Sequence, residues 1–392
     1  MRKVFPRPVV QAGVIVGLAI MGDSLLYNLL PLEATRLGFA PVWVGVLLSA
    51  NRLIRLVSNV LIGTLFARWG PRLPFLLGVL LAVITTFLYG VPLGIGVFLL
   101  ARVGWGIAWS ALRQGGYQTV WAVPVQQRAR MMGMFWGLVR LGSAVSVLVG
   151  GYVRDRLGYG AAIALITGVT MLALPLAWRF PWPSAAQPIL PRLPAPTGLR
   201  QSLHSPRVRW ILAAGLAQSV LEATLVSTTA PFIALSVSSH LIPYLGTATG
   251  VLLAVRWLSD MILGPIFGAL ADRIGTHRLG LVLTGWVILW LGGTLFLQNW
   301  WRLLLFAAVL MANAGLIVAL AAAANTEALH TPSPHLVVAA YTTAVDIGLA
   351  VGPLVGYTLG VELPLSVLYF GIASALGVIL VGYRQATRRH PL

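Results

Sequence analysis

Arg52, Arg55, Arg102, Arg113, Arg140 and Arg256, with the acids Asp23, Glu222, Asp260 and Asp346, interrupt stretches that are otherwise almost wholly apolar. At the centre of a helix in lipid, an arginine or aspartate costs about 2.5 to 3.5 kcal/mol. These side chains are therefore expected to face a cavity or one another. The chemistry open to them is narrow. Arginine presents a planar, permanently charged set of donors to an anion. Asp23, whose ionisation is set by the balance between burial and any neighbouring cation, can carry a proton.

Spacing groups the polar residues into faces. Asn51, Arg55 and Asn59 recur at one helical turn, with Arg52 adjoining, and Arg102, Gly106, Trp109 and Arg113 repeat the device further on. A residue four positions on lies above the first on the same face, so each set makes one polar stripe along an apolar rod. Gln218, Glu222 and Thr229 form a third set, and Asp23 with Tyr27 a fourth. Trp109 and Trp136 are the tryptophans expected near a ligand; the others read as interface anchors or lipid-facing bulk. The competing reading of all these charges is that they are buried pairs holding helices in register. Arg256 and Asp260, one turn apart, suit a local pair, and Arg113 suits snorkelling to headgroups.

The elements that must carry these stripes are set by composition. Of 392 residues, 58% are hydrophobic and 9% charged, where a soluble domain has about a quarter charged. Apolar runs place helices near 9–31, 41–67, 73–91, 93–121, 130–153 and 159–178, then near 208–238, 243–271, 279–298, 301–327, 335–360 and 363–384. At about 20 residues per crossing, these are twelve transmembrane helices, an all-α membrane protein. The segment between the two sets carries Pro181, Pro183, Pro188, Pro191, Pro194, Pro196 and Pro206, too many for a helix. The expected organisation is a six-helix bundle over 1–178, a linker over 179–207 and a second bundle over 208–392.

A net charge of +18, from 27 Lys and Arg against 9 Asp and Glu, would suggest nucleic acid in a soluble protein. Here the basic residues cluster in alternate loops and at both ends. That pattern places the termini and linker in the cytoplasm, with the chain in the inner membrane and in contact with anionic lipid. Met1, Arg2 and Lys3 could open a signal peptide, but Asp23 interrupts the apolar run and no small-residue cleavage pattern comes after it. The segment is expected to stay as the first helix. The chain has no Cys and its histidines show no ligand spacing, so no metal or other cofactor is expected. No phosphate-binding loop is present, which argues against ATP-driven work. The loops are too short and acid-poor for a membrane enzyme's catalytic groups.

The sequence also repeats. Gly63, Ala67, Arg68, Gly70 and Arg72 come after the second helix as Gly268, Asp272, Arg273, Gly275 and Arg278 come after the eighth. Arg140, Gly142, Gly150 and Gly151 are matched by Asp346, Gly348, Gly352, Pro353 and Gly356. Two parallel repeats joined by a cytoplasmic linker resemble the major facilitator transporters. The 268–278 motif is similar to that family's cytoplasmic loop signature. The glycines with Pro353 are similar to its antiporter motif, and Arg102 with Gly106 to its helix-four arginine motif. Ala67 stands where the first loop signature has its Asp, and Ser146 with Val147 where the fifth helix has Gly-Pro.

The resemblance implies two pseudo-twofold-related bundles, a solute site between them near the bilayer midplane, and alternating access. It implies that these motif residues govern conformation, with the latch resting on Asp272, and that Asp23 and Arg102 lie on neighbouring helices. Protonation of Asp23 would then release Arg102 and couple a proton to the change of state. Six arginines against four acids favour a small anionic or zwitterionic solute. A proton-driven exporter of lipophilic drugs, using Asp23 and Glu222, is the alternative, and a non-transporting sensor of the same fold a further one. A monomer is expected. Laying the repeats over each other matches Arg55 to Asp260 and Arg140 to Asp346, and helix neighbours in the family then suggest the pairs Arg55 with Asp346 and Arg140 with Asp260.

Overall fold

A computed structural model describes residues 7–182, 201–237 and 239–389. The Pro-rich linker expected over 179–207 therefore lies outside the described residues from 183 to 200, as does the basic start, 1–6. Regular structure among the described residues is helical throughout. A chain surrounded by lipid must satisfy its backbone groups internally, and helices do so within one segment.

Eleven helices are long and apolar enough to cross a membrane. In chain order, with the shorter helix α3, they are α1 (Arg7–Glu33), α2 (Pro41–Trp69), α3 (Arg72–Leu88), α4 (Gly94–Trp121), α5 (Val125–Leu157) and α6 (Tyr159–Trp178). The second series is α7 (Pro206–Ser227), α8 (Ile242–Ile274), α9 (Thr276–Phe296), α10 (Asn299–Leu329), α11 (Pro334–Glu362) and α12 (Leu365–Arg388).

The seventh apolar run, expected to be one helix over 208–238, is broken at Thr228 and resumes as a short helix, Thr229–Ala234. Pro231 explains the break, since it has no N–H to offer Ser227 and its ring crowds that carbonyl. The Tyr357 hydroxyl donates to the freed Ser227 carbonyl at 2.8 Å. α2 is likewise interrupted, at Ile54, beside Arg55.

Packing divides the chain into two compact units, one over Met1–Leu190 with Ser239–Met261 and the other over Pro191–Ser238 with Ile262–Leu392. The core of the first contains Val16, Phe75, Val79, Trp105 and Phe135, all essentially inaccessible. α4 meets α2 closely at Gly106, where a Cβ would fall 2.4 Å from the Asn51 carbonyl oxygen. Without a driving force from water, helices in lipid associate through such close approaches at small residues. The first unit also holds the start of α8, where a Cβ on Gly151 of α5 would lie 2.2 Å from the Gly246 oxygen. Asp155 accepts from the Gly246 and Thr247 amides at 3.0 and 2.6 Å, satisfying donors that the first turn of α8 leaves unused. Arg154 beside it pairs with Glu33 at 2.5 Å.

In the second unit α7 packs along α11. Cβ atoms on Gly348 and Gly352 would fall 2.5 Å from the Leu216 oxygen and 2.8 Å from the Val220 oxygen, and Thr224 donates to the Gly352 carbonyl at 3.0 Å. Phe232 stacks on Phe306 with centroids 4.4 Å apart, and Tyr369 closes that cluster.

Candidate functional site

Asp23 and Arg102 meet inside the first unit. α1 carries Asp23, 5% exposed, and α4 carries Arg102, with no exposed surface. Arg102 Nη1 lies 2.5 Å from Asp23 Oδ1. Asn51 of α2 donates to the same oxygen at 2.9 Å. Arg102 Nε donates to the Leu47 carbonyl at 2.9 Å, and Nη1 approaches the Tyr89 hydroxyl at 3.4 Å. Residues from α1, α2 and α4, with Tyr89 at the end of α3, thus hold one ion pair. Charges taken out of water need such partners, because a buried pair gains little unless its remaining donors and lone pairs are met; here Arg102 Nη2 is still buried without one.

One helical turn from Asn51 the arrangement changes. Arg52 donates to Tyr27 at 3.2 Å. Arg55, only 5% exposed, has no hydrogen bond or ion pair among the described residues, and its Nε is buried without an acceptor. Its guanidinium stands over the Trp109 ring at 5.4 Å. Asn59, the next member of the stripe, is turned to Ser110, which donates to it at 2.8 Å.

Trp109 begins an aromatic run. Its ring lies 6.0 Å from Trp136 on α5, and Arg140, one turn on, stands 5.7 Å over Trp136. Arg140 Nε is 3.1 Å from Asp260 Oδ2 on α8, near enough for an ion pair but without the alignment of a hydrogen bond. Asp260 also pairs with Arg256 on its own helix. The local pair and the α5–α8 pair therefore coexist on one carboxylate. The order along the first unit is Arg55, Trp109, Trp136, Arg140, Asp260, Arg256.

The second unit brings together fewer of the expected residues. Gln218 lies 3.5 Å from Glu222 and donates to Asn313 of α10 at 3.0 Å. Asp346 is half-buried on α11 and makes no hydrogen bond or ion pair among the described residues. Gly348 and Gly352 are seam residues of α7 and α11, and Pro353 sits within α11 without ending it.

In the loop motifs, Gly70 and Gly275 adopt φ of +72° and +90° at the ends of α2 and α8. That is the left-handed region only glycine enters at little cost. A Cβ on Gly63 would meet nothing within 4 Å, and one on Gly268 only Val318 at 3.9 Å. Arg68, Asp272, Arg273 and Arg278 are exposed. Arg72 reaches the Trp178 carbonyl at 3.4 Å.

Tyr89, Asn313 and the Asp155 cap on α8 escaped the reading of the sequence. Tyr89 and Asn313 carry no charge to mark them, and Asp155 beside Arg154 reads as an ordinary helix end. Among the described residues no cluster of His, Asp and Glu could hold a metal.

Comparisons with known proteins agree with this architecture. A family model described as Major Facilitator Superfamily matches residues 12–244. The chain is 23% identical over 352 residues to the multidrug resistance protein MdtG of Proteus mirabilis (strain HI4320), covering 86% of this chain and 84% of that protein. It is 24% identical over 369 residues to MdtG of Dickeya zeae (strain Ech586), covering 90% and 88%. Among solved structures, the nucleoside transporter NupG superposes with a TM-score of 0.77 at 9% identity, over 97% of this chain and 99% of that one. A bacterial homolog of the human lysosomal transporter Spinster, inward-facing and occupied, gives a TM-score of 0.75 at 14% identity, over 97% and 96%. At such identities these two likenesses speak for the fold alone.

Proposed function

The chain belongs to the major facilitator superfamily, and from that premise we propose that this multi-pass membrane transporter moves a small anionic or zwitterionic organic solute by proton-coupled alternating access. The observation that carries the solute class is Arg55, buried and cationic, with no acid in contact with it among the described residues and its Nε without an acceptor. An uncompensated charge away from water is costly. An anion that binds there relieves the cost, and a neutral or cationic solute does not. The coupling group is Asp23, because a proton on it removes the charge that holds Arg102 and frees that guanidinium.

Twelve crossings, arranged as two six-helix bundles over 1–178 and 208–392, complete the reading, with α3 the shortest crossing. The protein then lies in the inner membrane with both termini cytoplasmic, a placement supported by the basic loops. The packing of α8 on α5 becomes a contact that a change of access must break. Asp272, Arg273 and the motif glycines act on conformation, and Glu222, Asp260 and Asp346 face the solute path.

A second reading, export of lipophilic drugs, draws on the multidrug resistance named for the MdtG relatives and on the Trp105, Trp109 and Trp136 run. Reconstitution in liposomes separates the two. Organic anions and zwitterions should exchange across the bilayer and lipophilic cations should not; cation flux alone would favour the drug reading. In cells, a reporter fused near residue 94 should sit outside and one after Arg384 inside.

A further inference from the structure

The arrangement around Arg55 points to a narrower solute: we propose that the first unit recognises a planar aryl carboxylate, with Arg55 as the residue that selects it. This rests on the transport reading for its site and deepens it by naming the ligand's shape.

The Arg55 guanidinium stands over Trp109, 5.4 Å from the ring centroid. Its N–H donors lie in one plane and make no hydrogen bond among the described residues, the buried Nε included. A carboxylate answers such a fork in the same plane through two parallel hydrogen bonds.

Around Arg55 cations outnumber acids: Arg52 and Arg113 lie close enough for their fields to reach it, against Asp23 alone among the acids. Of the first unit's acids, Asp23 is engaged by Arg102 and Asn51, and Asp260 by Arg140 and Arg256. No acid of this unit is thus in contact with Arg55, and the open donors give an incoming carboxylate a preferred orientation.

The aromatic run sets the kind of group that the carboxylate must carry. A group bound to Arg55 lies beside Trp109, and the next ring, 6.0 Å on and tilted 52° to it, is the half-buried Trp136. A conjugated ring offers a flat π-face to one tryptophan and an edge to the other, as tilted aromatic pairs prefer. A saturated ring offers neither. Beyond Trp136 stands Arg140, whose hold on Asp260 is an ion pair without hydrogen-bond alignment. A second anionic group on the far end of the ring would find that cation.

The test is titration calorimetry on the full chain in lipid nanodiscs with benzoate, cyclohexanecarboxylate and benzamide. Benzoate is expected to bind at least about tenfold more tightly than cyclohexanecarboxylate, with benzamide weaker still. Arg55→Gln should weaken benzoate by about tenfold or more, and Arg55→Lys should restore only part of it, because an ammonium has no plane to share. Trp136→Leu should erase the preference for benzoate over cyclohexanecarboxylate while keeping carboxylate binding. Equal binding of benzoate and benzamide, no binding of benzoate, or unchanged affinity in Arg55→Gln overturns the proposal.

A parallel exchange assay uses 4-sulfobenzoate, whose sulfonate prevents unaided passage through lipid. Benzoate binding with these preferences but without exchange of 4-sulfobenzoate leaves the recognition standing and removes the transport reading. Exchange that survives Arg55→Gln does the reverse.

Discussion

Arg102 and Arg55 are the same residue type on adjoining helices, both nearly inaccessible, yet their surroundings differ in kind. Arg102 has a carboxylate, an amide-braced ion pair, a backbone carbonyl and a tyrosine hydroxyl. Arg55 has an aromatic face, two nearby cations and the field of Asp23, but no acid in contact. The first arrangement satisfies a charge internally and so can be switched by a proton. The second leaves it to be satisfied from outside and so can recognise a solute. Burial alone does not separate the two arginines, nor does an orphaned nitrogen, which both carry; a contacting carboxylate does.

That contrast can be broken by substitution. The largest effect is expected at Asp23. Asp23→Leu strands Arg102, which cannot lose its proton, and should cost about 3 to 5 kcal/mol of stability, read as a fall in unfolding temperature in detergent. Arg102→Leu should cost less, because a stranded carboxyl can become neutral. Equal losses would mean that the two residues are not a charge-compensating unit. Asp260→Ala comes next, at about 2 kcal/mol, since it leaves the buried Arg256 and the half-exposed Arg140 without their shared acid. Arg55→Leu should be the smallest and of opposite sign, stabilising by about 1 kcal/mol while removing anion exchange. A marked destabilisation by Arg55→Leu would show that Arg55 has a structural partner after all.

Much of this architecture can be read from the residues because charge in an apolar run is a strong signal. The stripe Asn51, Arg55 and Asn59 derives from it, while the meeting of Asp23 with Arg102 needs the helix neighbours that the family resemblance implies. The Arg140–Asp260 contact is expected from the opposite signs that the internal repeat places at matched positions, taken together with the helix neighbours that the family resemblance implies. What the sequence conceals is how each charge is answered. Tyr89 and Asn313 are uncharged, and backbone acceptors such as Leu47 O leave no trace in residue type. That Asn59 accepts from Ser110 depends on a partner on α4 that spacing along α2 does not reveal. Glycine is ambiguous for the same reason. Gly70 and Gly275 are required by their backbone angles, and Gly352 by the approach of α7, whereas Gly63 meets nothing.

The most direct measurement is uptake of radiolabelled 4-sulfobenzoate into proteoliposomes, with and without an imposed pH gradient of either sign. The natural chain, Asp23→Asn and Arg55→Gln would be compared. Asparagine can still accept from Arg102, so Asp23→Asn should fold and should exchange solute in the absence of a gradient, yet fail to accumulate it when a gradient is imposed. Arg55→Gln should lose both activities, and the natural chain should show both. Gradient-driven accumulation that persists in Asp23→Asn, or exchange that persists in Arg55→Gln, would contradict the account.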